Sequence, residues 1–481
     1  MDTCLFIRIK KPITIISIVF PKSMSKSLLK QMIDRPDAER TPFQERIRLT
    51  SRNFFLHIHA PKINMRSLRP TYTFGLGLLA VFTFCTLLIT GLILLIHYTP
   101  SIERAYTSVQ DIIYIVPAGK LVRNMHRWSG HLMIIIVFLH MARTFYTAAY
   151  YRTHTLNWIT GLCLLLLVIT AGFSGYLLPW DQLAYWAVTI ASNIAASARE
   201  LSDALGITHL FDVGYWIKIL FFGDESIGQS TLRRFFFLHV VFIPISLIIL
   251  MGYHFWRIRM SGGLAHPPQI PADNLRNLNT EQGIIPAWPS VMWIELAVFV
   301  SLILLLLIFS IIVDAPLRDI ANPDFPENPA KSPWYFLGVQ EMVSYSAFSG
   351  GIILPLVVLT FLFLIPFMDH ETKYQGIWFS GELGKKVFFQ TGVFILGITI
   401  CILGSSYFFP WYRQIPLLVG IIINPVTIIA LAIYFWGKYI RIKTGSSRMK
   451  ILALFTGIFL EYMIFMSIGI WFRGPDWQLI W

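Results

Sequence analysis

Residues Arg123 to Arg143 read RNMHRWSGHLMIIIVFLHMAR, with His126 and His140 14 positions apart in a run apolar enough to be a membrane helix. A second stretch, Arg234 to Arg259, reads RFFFLHVVFIPISLIILMGYHFWRIR and holds His239 and His254, 15 apart. A helix turns about 100° per residue, so a step of 14 returns within about 40° of its starting face and a step of 15 within about 60°. Each helix thus presents two imidazoles on roughly one side, separated by about 21–23 Å along its axis. His131 falls about 140° round the helix from His126 and reads as a packing or bundle contact.

Set face to face, first histidine to first and second to second, the two helices make two axial sites, one near each membrane surface. Two bis-imidazole sites are what a pair of b-type haems requires. A single membrane histidine is often satisfied by a neighbouring hydroxyl. Four in two matched pairs are harder to explain that way, because ionisable groups inside a membrane are costly and usually functional.

Composition agrees. The 481 residues are 55% hydrophobic and only 14% charged, against roughly 25% charged in soluble proteins. The chain reads as an all-α polytopic membrane protein, a four-helix dihaem bundle followed by further transmembrane helices. The formal charge of +13 points to basic loops on a cytoplasmic face, and no basic run interleaved with aromatics suggests nucleic acid. Cys4, Cys85, Cys163 and Cys401 are isolated, with no spacing for covalent haem, zinc or an iron–sulfur cluster. An iron–sulfur partner must be another polypeptide.

Residues 1–70 read as a basic extension. Its apolar run Ile13–Phe20 is too short to span, and Thr41–His59 fits a surface helix. Nine spans follow: Tyr72–Tyr98, Leu121–Thr147, Trp158–Leu178, Leu232–Arg257, Val291–Val313, Gly351–Met368, Val387–Phe409, Leu417–Trp436 and Ile451–Phe472. They divide into a dihaem region 71–260, a second region 285–410, and extra helices in 411–481. Pro355 and Pro425 fall within spans and are expected to kink them. The link between spans eight and nine carries Lys438, Arg441, Lys443, Arg448 and Lys450. Placing it inside puts the N-terminus in the cytoplasm and the C-terminus outside.

Gly77 and Gly91 in the first span, and Gly161 and Gly175 in the third, repeat the 14-residue interval. A flat macrocycle pressed between helices needs backbone without a Cβ at its edges, although small residues also serve ordinary helix packing. Arg123, Arg127 and Arg143 flank the first histidine pair and suit anionic propionates. Arg143 also suits a cytoplasmic helix end. Glu461 lies inside the ninth span, where a carboxylate is functional by default. Phe472–Trp477, FRGPDW, reads as an aromatic interface anchor.

On these residues the chain resembles cytochrome b of cytochrome bc complexes, from about Pro70 to Pro410. HRWSGH…LHMAR is similar to the family's second helix, and GYLLPWDQLAYWAV, Gly175 to Val188, to its quinol-oxidising pocket. GQSTLRRFFFLH, Gly228 to His239, and the 15-residue histidine interval resemble the photosynthetic, split-gene branch. NPAKSPWYFLGVQE, Asn328 to Glu341, occupies the place of the family's Pro-Glu-Trp-Tyr motif. The two halves, separate polypeptides in that branch, are fused here.

The resemblance implies an outer haem on His126 and His239 and an inner one on His140 and His254. It implies that Pro179, Trp180, Trp334 and Tyr335 line a quinol-oxidising pocket. Quinol would give one electron to a Rieske iron–sulfur protein and the other through both haems to an inner quinone, with protons moved outward. A c-type cytochrome, a homodimeric complex and a bacterial cytoplasmic membrane are further implications. The motif's glutamate is Pro333 here, which leaves Asp181 and Glu341 as candidate proton acceptors, Glu341 preferred. The alternative for Glu341 is a solvated loop carboxylate. Gly75 stands where the photosynthetic branch carries its haem-linking cysteine, so no covalent haem is expected. A dihaem membrane anchor of a quinone-linked dehydrogenase is the main rival. A non-redox transporter would have to explain four matched histidines without haem.

Overall fold

The computed structural model describes residues 46, 59, 62–64, 70–151, 154–260, 284–410, 412 and 417–480. The apolar run Ile13–Phe20 lies outside these residues, as does nearly all of the expected surface helix Thr41–His59. Among the described residues nine helices are long and apolar enough to cross a membrane. They are α1 Leu76–His97, α2 Gly119–Tyr146 and α3 Thr155–Leu177; α4 Gln229–Met260 and α5 Ser290–Ile312; α6 Ser349–Met368 and α7 Gly381–Phe408; and α8 Pro425–Thr444 and α9 Ser447–Phe472. The described strands form one short antiparallel pair, β1 Lys62–Asn64 with β2 Ile284–Pro286.

The first four spans form a bundle. α2 packs closely on α1, and α4 on α3, whereas α2 and α4 do not pack closely on each other. α4 is α-helical over Gln229–Phe237 and Ile243–Met260, but Leu238–Phe242 between them is a π turn that contains His239. Such a turn absorbs one extra residue. The 15-residue histidine interval of α4 therefore presents its rings much as the 14-residue interval of α2 does.

Two expectations are corrected. The eighth span was placed at Leu417–Trp436, but the helix breaks after Ile422 and α8 begins at Pro425. Asn424 caps it, its Oδ1 accepting from Thr427 N at 3.0 Å. Pro425 thus stands in the first turn, where its missing N–H costs nothing, and kinks no span. Pro355 likewise follows directly on a π turn, Ser349–Ile353, and lies in the first turn of the α-helical part of α6. The second correction concerns Arg448. It is no loop cation, for its side chain is fully buried and it is the second residue of α9. Gly445, at φ 68°, ends α8 and Ser446 caps α9, so the hairpin is too tight to hold the charge at the surface.

α9 is the most enclosed span, with half of its most apolar stretch buried. It packs on α7, α8 and the helix Leu337–Val343. Its N-terminal end is tied by Arg448, which donates to Asp369 Oδ2 at 3.3 Å, Ser380 Oγ at 2.8 Å, the Phe145 carbonyl at 2.9 Å and the Tyr150 hydroxyl. One guanidinium thus joins the end of α2, the loop after α6, the start of α7 and α9.

Candidate functional site: a histidine-lined gap between helices

α2 and α4 bring the first histidine of each pair together. The ring centres of His126 and His239 are 6.1 Å apart, with planes at 79°. Two metal–imidazole bonds of about 2 Å, plus about 1 Å from each nitrogen to its ring centre, would place ring centres about 6 Å apart. The rings are also oriented. His239 Nδ1 lies 3.0 Å from the Ala171 carbonyl, so that nitrogen carries the hydrogen and Nε2 keeps a lone pair. His126 Nδ1 lies 3.0 Å from Thr90 Oγ1, whose own hydrogen goes to the Thr86 carbonyl at 2.6 Å. That chain gives His126 the same tautomer. Partners of this kind orient metal-binding imidazoles.

The four repeated glycines each face one histidine. A Cβ on Gly91 would stand 3.1 Å from His126 Cε1, on Gly77 3.4 Å from His140 Cε1, and on Gly161 3.5 Å from His254 Cε1. On Gly175 it would collide with the His239 ring. The missing side chains make room for the imidazole edges themselves, a closer reason than the macrocycle edge inferred from spacing. His140 Nδ1 is buried without a hydrogen-bond partner among the described residues.

A cavity of about 280 Å³ occupies the half of the bundle that holds the first histidine of each pair, lined by His126, His239, Arg123, Arg127, Pro179 and Tyr335 among others. Gly91 and Gly175 lie in its wall; no carboxylate does. Arg127 has a buried Nε without a partner among the described residues and sits 4.6 Å from the centre of the Tyr176 ring. Arg143 is buried near the other end, its Nε on the Tyr72 carbonyl at 3.2 Å and one Nη without a partner. Neither pairs with a carboxylate among the described residues. A buried cation without a counter-ion is costly, so both fit an anionic group brought by a ligand. Arg123 differs, since it donates to the Ala315 and Pro316 carbonyls at 2.8 Å each.

Trp180, Asp181, Trp334 and Glu341, expected at the same site, do not line this cavity. Trp334 Nε1 donates to His131 Nδ1 at 2.8 Å, so His131 makes the bundle contact its phase suggested. Trp180 is buried with left-handed backbone at φ 51°. Asp181 caps the helix Gln182–Ala196 through Ala184 N at 2.8 Å and accepts from Arg318 N at 3.0 Å. Glu341 is fully buried, which rules out a solvated loop carboxylate. Arg473 reaches it through Nη2 at 2.5 Å and Nε at 2.9 Å, and Trp477 Nε1 through the second oxygen at 3.1 Å. Sequence reading missed Thr90, Ala171, Tyr462 and Arg473. Only Thr90, next to a repeated glycine, carried a hint. The Arg473–Glu341 pair joins residues 132 positions apart and has no local signature.

The family model described as Cytochrome b/b6/petB matches residues 64–262. Cytochrome b6 of Heliomicrobium gestii is 41% identical over 189 residues, covering 39% of this chain and 83% of that protein. Cytochrome b6 of Synechococcus sp. (strain CC9311) is 33% identical over 222 residues, 46% of this chain and 93% of that one. A solved chain of "Hyperthermophilic respiratory Complex III" shares the fold at a TM-score of 0.58 and 24% identity, over 82% of this chain and 90% of that one. The fold and the paired histidines define a helical membrane haem protein of electron transport. The chain belongs to the cytochrome b/b6 family.

Proposed function

We propose that this chain is the dihaem subunit of a bc-type complex that oxidises quinol near one membrane face. One electron goes to a Rieske iron–sulfur protein, and the other goes through the two histidine pairs to a quinone on the cytoplasmic side. The observation that carries the reading is the shared cavity: Pro179 and Tyr335, from two distant segments, line the same space as His126 and His239. An anchor subunit needs the histidines but no such annex.

In this reading His126 and His239 hold the outer b-type haem, and His140 and His254 the inner one. When bound, the haems supply one-electron redox chemistry. Gly77, Gly91, Gly161 and Gly175 let the imidazoles lie against the backbone. Arg127 and Arg143 neutralise propionates. Trp180 and Trp334 stiffen the pocket walls around Pro179 and Tyr335. His131 accepts from the Trp334 indole at Nδ1, which leaves Nε2 to carry a hydrogen bond to a quinol oxygen. Asp181 and Glu341 are both engaged outside the cavity lining, and we assign them to holding the walls rather than to accepting protons. Gly75 has left-handed backbone at φ 60°, a position where a cysteine would be strained, in keeping with two non-covalent haems. The proton path leads outward, and the membrane holds nine spans with the α8–α9 hairpin inside. A c-type cytochrome and a second copy of the complex complete the proposed assembly.

The test is the complex purified from its native membrane. A redox-difference spectrum should show two b-type components, and His239→Leu should abolish one of them while quinol oxidation stops. A spectrum without haem, or quinol turnover indifferent to His239, would refute the reading.

A further inference from the structure

α9 and the residues after it press on the Trp334–Tyr335 turn from behind. The Tyr462 hydroxyl donates to the Tyr335 carbonyl. A Cβ on Gly338 would strike the Tyr462 ring at 2.8 Å, and one on Gly469 would approach Leu337 Cβ at 3.0 Å, so both interfaces are closed to the backbone. Beyond α9 the chain folds back on itself, Gly474 N bonding to the Gln478 carbonyl at 2.9 Å and Ile480 N to that of Phe472 at 2.9 Å. This compact turn grips the segment Asn328–Glu341 again. Lys331 Nζ donates to the Ile470 carbonyl at 3.0 Å, and Asn328 and Asp476 bond reciprocally at 2.8 and 2.6 Å. Arg473 closes the grip on Glu341 with a forked pair, the strong form of this interaction.

Only the front of the turn faces the cavity. Tyr335 lines it, and Trp334 leans on His131 of α2. A short turn held on one side by one hydrogen bond would not keep Tyr335 within the few tenths of an ångström that substrate positioning needs. We infer that α9 and its tail form a clasp that sets the position of Tyr335 at the quinol pocket, with Tyr462 and Arg473 as its positioning residues. This rests on the quinol-oxidising reading above. It gives the carboxylate at Glu341 a mechanical task, since both of its oxygens are taken up in holding Arg473 and Trp477.

The experiment uses the assembled complex in membranes, with duroquinol and a menaquinol analogue as substrates. Tyr462→Phe removes one oxygen and keeps the packing. It should raise the quinol KM about tenfold, with kcat within about twofold and the reduced-haem spectrum unchanged. Arg473→Gln should act in the same direction, and Arg473→Lys should recover part of the loss. Unchanged KM in both Tyr462→Phe and Arg473→Gln would overturn the clasp. So would a fall in kcat that tracks loss of haem absorbance, which marks a folding role alone. A parent complex that oxidises neither quinol would instead overturn the functional reading.

Discussion

The two ends of α9 each bury an arginine against a carboxylate, and they do different things. At the inner end Arg448 and Asp369 are both fully enclosed, among the aromatic rings of Phe145 and Tyr150. None of the residues that Arg448 bonds to lines the cavity. At the outer end Arg473 is slightly exposed and Glu341 fully buried, and their partners back the Trp334–Tyr335 turn. Burial alone therefore does not reveal purpose. Part of the gain from a buried pair is cancelled by desolvation, so what matters is what the pair holds still.

The sharpest way to break the comparison is at the inner end. Arg448→Leu leaves Asp369 buried without its cation and should destabilise the protein by about 3–5 kcal/mol, read as lost yield and a lowered Tm. Removing both charges, with Arg448→Leu and Asp369→Leu together, should recover most of that loss. Surviving Arg448→Leu protein should keep its quinol KM. At the outer end Arg473→Gln should cost less, about 2 kcal/mol, since Trp477 and Tyr345 still donate to Glu341, yet it should move KM. A smaller effect is expected from Thr90→Val, which takes away the His126 Nδ1 partner. It should weaken outer-haem retention about tenfold and leave the inner component of the spectrum alone.

The smallest effect concerns pH at the inner hairpin. Glu371 accepts from Ser446 and Ser447 hydroxyls and from Arg448 N at 2.7–3.1 Å. Partial burial would raise its pKa, but these donors hold it below the usual value. A depressed carboxylate stabilises the fold above its unfolded value of about 4.3, and that stabilisation is lost as pH falls through the lower folded value. Hydrogen exchange at the start of α9 should therefore rise in this acid window and be flat from pH 5 to 8. Exchange that rises instead near pH 7 would remove Glu371 from the hairpin's hold.

What the sequence disclosed follows the range of the interaction. The histidine and glycine intervals are periodic within one helix, so their common spacing was legible, but not that each glycine faces a histidine ring. The nine spans were legible from apolar length, except where Asn424 and Pro425 restart a helix inside an apolar run. Arg448 looked like a loop cation because charge counting sees the hairpin and not the pocket that receives it. The partners of Glu341 were hidden for a further reason: hydropathy ranks α9 with the other spans and says nothing of which span sits in the middle.

That central place has a consequence for how the molecule is made. α9 leaves the ribosome after α1–α8, and domains fold largely in the order of synthesis. The histidine bundle can close while the chain is still growing, but the turn bearing Tyr335 gains its backing only when α9 has inserted. On the proposed function, a nascent chain halted before that point would be able to carry iron porphyrin and yet lack a finished entrance for its fuel.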